Sequence, residues 1–450
     1  MTGPLVAFYG DDLTGSTDTL SVLAEAGLAA LLFLDLPTEA DRQAAGALDA
    51  LGVAGTTRMM SPAQMDDHLP DMFDALKATG ARLVHYKICS TFDSSSAIGS
   101  IGHAIILARS RFRRGFVPVV VGQPSIGRYC AFGNLFAVAS TGGTAYRLDR
   151  HPTMMRHPVT PMDEADLRFV LAAQGLQRVG LIEITRLRSG EAQGHLDCIL
   201  GETPDAVLFD VLEEDDLQRI GQLIGARLAS GEPVLGVGSS GLQQALLAGW
   251  DTLASRVGRR SPPVARRQET VLLISGSRSP VTAAQIEAAG AAGFALLALD
   301  PVRLINPDRA AETVAEAAAV AVCELSGGRS VVAHTSLGPD DPRGLVNTDR
   351  AALEKLAQAC GLLARAVLER MPLRRLGICG GDTSSLAARA LGVRALEYEY
   401  RLAPGVPVCR VRASGSRLDG VQVMLKGGQM GPGDVFARLA GGAVGTSGTT

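Results

Sequence analysis

Short apolar segments alternate with amphipathic segments along most of the chain. Residues 4–10 (PLVAFYG) are apolar, residues 16–27 (STDTLSVLAEAG) have helical spacing, and residues 28–35 (LAALLFLD) are apolar again. This pattern predicts a strand, a helix capped by Ser16 or Thr17, and a second strand. Strands separated by helices predict parallel sheets with helices on both faces, which is an α/β fold.

The alternation continues to near the C-terminus and is interrupted once, at residues 254–270. This stretch (ASRVGRRSPPVARRQET) is rich in Pro and Arg and has no periodicity. We therefore predict two domains, 1–253 and 271–440, joined by this linker and followed by a disordered tail at 441–450. Each domain should hold a largely parallel sheet with flanking helices. Further strands are predicted at 81–87, 116–122, 178–184, 205–211, 233–238, 271–275, 294–299, 329–335, 374–379 and 421–426, and helices near 281–292, 309–325 and 349–370.

Composition excludes several classes of partner. The 43 Lys and Arg residues nearly balance the 46 Asp and Glu residues, for a net charge of −3. We therefore expect neither a nucleic-acid partner nor a membrane partner. Seven cysteines without a CxxC pair indicate reduced thiols and a cytoplasmic location. No apolar run reaches the roughly 18 residues of a membrane helix, and no signal peptide is visible. A homodimer is the default expectation for assembly.

Two adjacent carboxylates, Asp11 and Asp12, follow the first strand and precede Thr14. Ligands of open α/β sheets bind beyond the carboxyl ends of the strands. Carboxylates there accept hydrogen bonds from substrate hydroxyls or take a proton from one. We expect all three residues to contact substrate, with Asp12 slightly preferred as the base. The alternative is that one aspartate is a loop or helix-cap residue.

Cations and hydroxyls follow two other strands of the N-terminal half. Lys87, one of only four lysines, ends a predicted strand and precedes Ser90 and Thr91. Arg128 follows the strand at 116–122. An ammonium and a guanidinium at these positions would neutralise an anionic substrate, with the hydroxyls beside them. The alternative for Lys87 is a surface lysine with an exposed ammonium.

Two histidines, His151 and His157, each precede a proline and are six residues apart. This is not a helical spacing for a metal pair, and nothing else in the sequence resembles a zinc site. We predict that His157 is a hydrogen-bonding loop residue near the substrate pocket.

Residues 236–241 (GVGSSG) match the G-x-G-x-x-G pattern between a predicted strand and a predicted helix. The pattern alone suggests a dinucleotide site and hence an NAD(P)-dependent dehydrogenase. The acidic residue expected about twenty positions later is absent, because that region is ASRVGRRSPP. We prefer a tight strand–helix turn.

Three glycine- and serine-rich turns follow strands of the C-terminal half. They lie at 275–277 (SGS, before a helix predicted to be capped by Thr282), 380–383 (GGDT) and 426–428 (KGG). Small residues let the backbone approach a ligand, and free N–H groups at helix starts favour anions. Together the turns indicate a phosphate site, and no G-x-x-x-x-G-K-[ST] loop is present. Acids, hydroxyls and cations in one domain and phosphate turns in the other suit phosphoryl transfer in an interdomain cleft.

The chain resembles the four-carbon acid sugar kinases, formerly a domain of unknown function, over residues 4 to about 440. The segments that carry the resemblance are GDDLTGSTDT, YKICSTFDSS with IGSIG, GRYCAFGNLFA, HPVTPMDEADL, SGSRSPVTAAQI, GGDTSS, APGVP and KGGQMG. The resemblance implies ATP-dependent phosphorylation of tetronates or 3-oxo-tetronates, with Mg²⁺ accompanying ATP. It also implies an acid-sugar-binding N-terminal domain and an ATP-binding C-terminal domain.

By motif, the resemblance implies a set of site residues on each side. The substrate set is Asp11, Asp12, Lys87, Ser90, Thr91 and Arg128. The nucleotide set is Ser277, Gly380, Gly381, Asp382, Thr383, Gly427 and Gly428, with Asp382 as the candidate Mg²⁺ ligand.

The chain departs from the usual family pattern at three points, of which the last two indicate a subgroup with a different acid sugar. They are Gly10 in place of Ala, Asp382 in place of Glu, and KGGQMG in place of KSGNFG. One related branch phosphorylates 3-oxo-isoapionate. We therefore expect a kinase acting on a hydroxyl, in our interpretation the terminal one, of a tetronate, 3-oxo-tetronate or 3-oxo-isoapionate. The rival hypotheses are the dehydrogenase and a non-catalytic regulator that binds sugar acids.

Overall fold

The computed structural model describes residues 3–112, 116–139, 143–157, 159–229, 233–258, 270–343 and 350–441. Its contacts divide the chain into two compact units, residues 1–261 and 262–450. Most of the predicted linker and the predicted tail from residue 442 onward lie outside the described residues. In the part of the chain that the structure describes, no helix has both the length and the apolar character to cross a membrane.

The N-terminal unit is built on a parallel sheet. Its strands lie in the order β2-β3-β1-β4-β11-β5-β10-β9, and each described pair is parallel. The strands of this sheet are β1 (Val6–Gly10), β2 (Ala30–Phe33), β3 (Ala50–Ala54), β4 (Leu83–Lys87), β5 (Pro118–Val120), β9 (Val179–Ile182), β10 (Ala206–Phe209) and β11 (Val234–Gly238). Its helices are α1 (Leu13–Glu25), α2 (Glu39–Ala45), α3 (Pro62–Ala78), α4 (Ile101–Arg109), α5 (Leu167–Ala173), α6 (Ile184–Arg188), α7 (Ala192–Gly201), α8 (Glu214–Leu228), α9 (Gly241–Gly249) and α10 (Asp251–Ala254).

A separate antiparallel sheet of β6 (Arg128–Ala131), β7 (Asn134–Val138) and β8 (Ala145–Arg147) was not predicted. Its β6–β7 turn is held by the buried carboxylate of Asp210, which accepts hydrogen bonds from the backbone N–H groups of Phe132 and Gly133. In β7, buried and half-buried residues alternate over only five positions. The nearby glycines and Pro124 are typical of a loop, so the sequence did not predict a strand here.

The C-terminal unit has a mixed sheet in the order β13-β14-β12-β15-β18-β17-β16. Strands β13, β14, β12, β15 and β18 are parallel, and β16 and β17 form an antiparallel hairpin that joins β18. Its strands are β12 (Leu272–Ser275), β13 (Ala295–Ala298), β14 (Val331–His334), β15 (Arg375–Cys379), β16 (Ala395–Ala403), β17 (Val406–Arg412) and β18 (Gln422–Lys426). Its helices are α11 (Pro280–Ala291), α12 (Pro301–Ile305), α13 (Ala310–Ser326), α14 (Arg350–Arg370), α15 (Gly381–Leu391) and α16 (Val435–Gly441).

The predicted α/β fold with mostly parallel strands is confirmed, but both predicted helix caps are wrong. Helix α1 begins at Leu13 with Asp12 as its cap, because the Asp12 carboxylate accepts the N–H of Gly15. Helix α11 begins at Pro280 with Ser279 as its cap, because the Ser279 hydroxyl accepts the N–H of Val281. Proline suits the first helical position because it has no N–H to satisfy. Thr282 is therefore inside the helix.

The glycines of residues 236–241 are explained by packing within the protein. A Cβ added to Gly238 would lie 2.0 Å from the carbonyl oxygen of Val120, and one on Gly241 would lie 2.0 Å from that of Gly122. A Cβ on Gly236 would lie 2.8 Å from the Leu242 side chain. The turn is thus a tight connection pressed against the end of β5, and no cofactor is needed to account for its composition.

We predict that Gly238→Ala lowers the free energy of unfolding by about 1–3 kcal/mol, because backbone atoms must shift to admit the methyl group. Gly194→Ala is the matched control. Its site on α7 is open, with no atom within 4 Å of an added Cβ, and the substitution should be neutral or stabilising by up to about 1 kcal/mol. Urea titration of both variants measures the difference, and equal midpoints would contradict the packing explanation.

Candidate active site

Charged residues lie at or just after the carboxyl ends of three neighbouring strands, β3, β1 and β4. Gly10 is in register with Ala54 on one side and Lys87 on the other. Beyond the sheet, the N–H of Asp11 donates to the carbonyl of Lys87 at 2.8 Å. The paired aspartates therefore lie beside the lysine, as expected from neighbouring parallel strands.

Asp12 is the most heavily hydrogen-bonded of the two acids. Its Oδ1 accepts the N–H of Gly15 at 2.8 Å, and its Oδ2 accepts the hydroxyl of Thr14 at 2.5 Å. Thr14 therefore lies against Asp12, and the Thr14 hydroxyl already donates its proton to the Asp12 carboxylate. The alternative that one aspartate is a helix cap holds for Asp12.

The sequence analysis missed Arg58, which binds both carboxylates. Its Nε and one terminal nitrogen donate to the two oxygens of Asp11 at 3.1 and 2.8 Å, and the other terminal nitrogen donates to Asp12 Oδ2 at 2.9 Å. Both acids are 4% exposed, and two buried neighbouring carboxylates need a compensating cation. Arg58 lies in a helical turn (Thr57–Met59) just after β3. Residues 50–54 were not predicted as a strand, so the carboxyl-end rule did not reach Arg58, which is one of 39 arginines among the 43 basic residues.

The two aspartates differ in acidity because their surroundings differ. Burial raises the pKa of Asp11 above its usual range, and the opposing charge of Arg58 offsets this only in part. Burial also acts to raise the pKa of Asp12, but Arg58, Lys87 and the bonds from Thr14 and Gly15 together lower it. The paired carboxylates in turn hold the pKa of Arg58 well above its usual value, despite its burial.

Lys87 lies against the start of α1 and is 3% exposed. Its Nζ donates to the carbonyl of Ile88 at 2.9 Å. A Cβ on Gly15 would lie 2.7 Å from that Nζ and 2.6 Å from Asp12 Oδ1. Glycine at position 15 is therefore what lets the ammonium approach Asp12 and the helix N-terminus. Lys87 is not a surface lysine.

The remaining predicted substrate residues lie in the neighbouring loops. Thr91 donates to Asp93 at 2.7 Å, and Ser90 is half-buried. One terminal nitrogen of Arg128 donates to the carbonyls of Ile126, Gly127 and Val138, while its buried Nε has no partner among the described residues. Burial lowers the pKa of Arg128, although Cys89 and Asp93 oppose that effect.

His157 has the local role that was predicted for it. Its Nδ1 accepts the backbone N–H of Thr160 at 3.1 Å and lies 3.0 Å from the Thr160 hydroxyl. These contacts close a turn in the chain. Its position near substrate stays a prediction.

In the C-terminal unit, the three predicted turns meet at one sheet edge. Strands β12, β15 and β18 are neighbours, with Ser275, Cys379 and Lys426 in register. A Cβ on Gly428 would lie 2.7 Å from Ser277 Oγ, and one on Gly276 would lie 2.5 Å from Thr383 Oγ1. The three turns are thus packed against one another, with their small residues and hydroxyls side by side at this edge.

Lys426 supports this edge from inside the protein. Its side chain is fully buried, and its Nζ donates to Thr282 Oγ1 at 3.2 Å and to the carbonyl of Gly427 at 3.0 Å. Burial lowers its pKa. Thr282 in turn donates to the carbonyl of Gly428 at 2.8 Å. The lysine and Thr282 therefore hold the KGG turn against α11.

Helix α15 begins with two glycines, one with a positive φ and one with free space at its Cβ position. Gly380, the cap residue, has φ +116°, a conformation that side-chain-bearing residues rarely adopt, whereas a Cβ on Gly381 would meet no atom within 4 Å. The side chain of Asp382 lies outside the described part of the structure, so its predicted Mg²⁺ contact stays a prediction. Among the described residues, no three His, Cys, Asp or Glu side chains form a group that could hold a metal ion.

Comparison with known proteins matches each half of the chain to a family model. Residues 6–246 match a family described as a sugar-binding N-terminal domain, and residues 272–436 match a nucleotide-binding C-terminal domain. A 3-oxo-isoapionate kinase of Paraburkholderia graminis is 40% identical over 98% of this chain and 96% of its own. The chain belongs to the four-carbon acid sugar kinase family. Enzymes of this family named as 3-oxo-tetronate kinase in Methylobacterium radiotolerans and D-threonate kinase in Salmonella typhimurium are 34% and 27% identical, over 95% and 94% of this chain and 96% and 94% of their own.

Two solved structures share the fold of this acid sugar kinase family member. A Salmonella typhimurium LT2 protein, solved under the provisional description of a tRNA synthase, has a TM-score of 0.76 at 24% identity. A Haemophilus influenzae protein of the DUF1537 family has a TM-score of 0.69 at 22% identity. Each alignment covers 96% of this chain and 98% of the other. At this identity the likeness concerns the fold alone.

We predict that Gly381→Ala weakens nucleotide binding about tenfold while leaving the melting temperature unchanged, because the open Cβ position is where backbone and phosphate would approach. Gly380→Ala should instead lower stability by about 1–2 kcal/mol, because its φ is in the left-handed region. Calorimetric titration with ADP and thermal melting separate the two effects. An unchanged ADP affinity in Gly381→Ala would argue against a phosphate at this turn.

Proposed function

We propose that this protein transfers the γ-phosphoryl group of ATP to a hydroxyl, the terminal one, of a small acid sugar. The observation that carries the proposal is the pair of buried carboxylates, Asp11 and Asp12, which are bound by Arg58 and lie beside Lys87 at the edge of the N-terminal sheet. Such a site offers acceptors to hydroxyls and cations to a carboxylate. The 40% identity to a 3-oxo-isoapionate kinase, with the departures at Asp382 and KGGQMG, favours 3-oxo-isoapionate as substrate, ahead of 3-oxo-tetronate or a tetronate.

Asp11 is the better base in this proposal, although the sequence slightly favoured Asp12. Asp12 accepts three hydrogen bonds and has a lowered pKa, so it is suited to remain an anion that fixes the helix start and Arg58. Among the described residues, the side chain of Asp11 is hydrogen-bonded by Arg58 alone, and its pKa is raised. A base works best when its pKa approaches the working pH. Asp11 would orient the attacking hydroxyl and take its proton as the phosphoryl group is transferred.

Charge compensation is the second contribution of the N-terminal site. Phosphoryl transfer is catalysed mainly by positioning and electrostatic stabilisation. Arg58 forms ion pairs with both acids, and the Lys87 ammonium lies near enough to Asp12 to lower its pKa. Arg128 keeps a buried Nε without a partner among the described residues. We assign the substrate carboxylate to Lys87 and Arg128, with Ser90, Thr91 and His157 around it. Arg58 keeps the two acids together.

Nucleotide binding is assigned to the C-terminal unit. Ser277, the turn from Gly380 to Thr383, and Gly427 with Gly428 would hold the phosphates of ATP through backbone N–H groups and hydroxyls. Mg²⁺ would arrive with the nucleotide, since this ion is usually bound by substrate phosphates and one or two carboxylates. Asp382 is the residue proposed to contact it. The ion would neutralise phosphate charge.

The test is an ADP-release assay with 3-oxo-isoapionate, 3-oxo-tetronate, D-threonate and D-erythronate. ATP-dependent phosphorylation of at least one is expected. Asp11→Asn should lower kcat about 10²- to 10⁴-fold, because a positioned base is lost, with ADP affinity unchanged. Asp12→Asn retains a good cap residue and should lower kcat less, but it should lower the melting temperature because a buried charge opposite Arg58 is lost. Absence of ADP release with all four acids, or wild-type turnover in Asp11→Asn, would contradict the proposal.

Arg58 should set the acid limb of the pH–rate profile. Its charge lowers the pKa of Asp11 against the effect of burial. Arg58→Gln removes that charge, so the pKa of Asp11 rises, and the acid limb moves to higher pH. At pH 7 we expect kcat/KM to fall at least about tenfold, since hydrogen bonds to charged groups are worth about 1.5–3 kcal/mol. Arg58→Lys should move the limb less.

The matched control for Arg58→Gln is Arg256→Gln. Arg256 also binds a largely buried carboxylate of the N-terminal unit, that of Asp49. Its loss should leave the acid limb in place. A profile of Arg58→Gln that superimposes on the wild type would refute the assigned role of Arg58.

A further inference from the structure

The serines of the 236–241 turn make contacts that a tight turn does not require. Ser239 Oγ donates to the carbonyl of Val121 at 2.8 Å and accepts the N–H of Gly241, which closes the turn. Ser240 is different, because its fully buried hydroxyl leaves the turn and donates to Asp18 Oδ2 on α1 at 2.5 Å. The same hydroxyl lies 3.0 Å from Thr19 Oγ1.

Gln123, which follows β5, contacts the same carboxylate. Its side-chain nitrogen donates to Asp18 Oδ2 at 3.4 Å. Gln123 is 2% exposed, and its Oε1 has no partner among the described residues. An unpaired buried acceptor costs about 1–3 kcal/mol. Thus Ser240 and Gln123 both orient Asp18 through one oxygen, while its Oδ1 has no described hydrogen bond or ion pair.

Asp18 lies on the same side of α1 as the site residues around Lys87, so that these residues form a row. Gly15, whose Cβ position faces Lys87 Nζ, lies three residues earlier on α1, and residues three apart share a helix face. Strand β11, which leads to Ser240, lies beside β4, with Gly238 in register with Lys87. The carboxylate of Asp18 is half-buried, so a ligand can reach it.

The two ends of this row have opposite chemistry. Lys87 brings positive charge to one end, where the charge of Arg58 is compensated by Asp11 and Asp12, whereas Asp18 Oδ1 and Gln123 Oε1 at the other end are acceptors. Acceptors repel a substrate carboxylate and take hydrogen bonds from hydroxyls. The turn itself is fixed, because His85 Nε2 donates to the carbonyl of Gly238 at 3.0 Å, and burial lowers the pKa of His85 to about 3, so that it stays neutral.

We propose that Asp18 is a further substrate-binding residue, which accepts hydrogen bonds from hydroxyls of the acid sugar remote from its carboxylate, and that Ser240 and Gln123 are positioning residues for it. This inference rests on the proposed function for the identity of the ligand. It gives the serine-containing turn a role in substrate choice, because the number and position of the hydroxyls distinguish one acid sugar from another.

The test uses Asp18→Asn and Ser240→Ala in the full chain, with 3-oxo-isoapionate and D-threonate as probes. Loss of a hydrogen bond to a charged group should raise the KM for the acid sugar about ten- to hundredfold in Asp18→Asn, with the KM for ATP changed less than about twofold. Ser240→Ala should raise the KM for the acid sugar less than Asp18→Asn does. Because Ser240 acts through Asp18, the double variant should be no worse than Asp18→Asn alone. Asp74→Asn, an exposed carboxylate paired with Arg111, is the matched control and should match the wild type.

Calorimetric titration of both acids without nucleotide separates this inference from the proposed function. Wild-type binding with a weakened Kd in Asp18→Asn supports the site even if no ADP is released, in which case the kinase proposal fails alone. Unchanged acid-sugar affinity in Asp18→Asn, with an unchanged melting temperature, overturns the inference while leaving the kinase proposal intact. Additive losses in the double variant would overturn the positioning role of Ser240.

Discussion

The bridging of Asp11 and Asp12 by one guanidinium is the interaction on which the candidate site depends. Two neighbouring carboxylates that are 4% exposed repel each other and lose hydration, and Arg58 compensates both effects through three hydrogen bonds. The same contact makes the acids unequal. Asp12, which also caps α1, stays acidic, whereas Asp11 becomes a weaker acid.

In both units, glycines allow other protein atoms to pack directly against the backbone. In the N-terminal unit, Gly15 admits the Lys87 ammonium beside Asp12, and Gly238 and Gly241 let the turn before α9 press against β5. In the C-terminal unit, Gly276 and Gly428 allow three turns to meet. At all of these glycines the space is filled by protein atoms, whereas a Cβ on Gly381 would meet no atom within 4 Å.

Much of the parallel architecture could be predicted because buried strands and amphipathic helices have distinct periods. Helices α11, α13 and α14 lie within a residue or so of their predicted bounds. The hairpin of β16 and β17 and the small sheet of β6, β7 and β8 were missed. Their strands pair with antiparallel neighbours, and the sequence around them carries turn residues rather than a long apolar run.

The candidate site also contains residues that could be predicted from the sequence and residues that could not. The residues next to apolar runs, such as Asp11, Asp12, Lys87 and the glycine turns, were predicted as site residues because the carboxyl ends of parallel strands carry ligands. Arg58 and Asp18 were not predicted, because the contacts that single them out involve partners 47 and 222 residues away in the chain. Local sequence thus determined the fold class and the type of chemistry. Only the tertiary structure decided which cation compensates the acids and which acid caps the helix, because hydrogen bonds and charge interactions depend on distance in space.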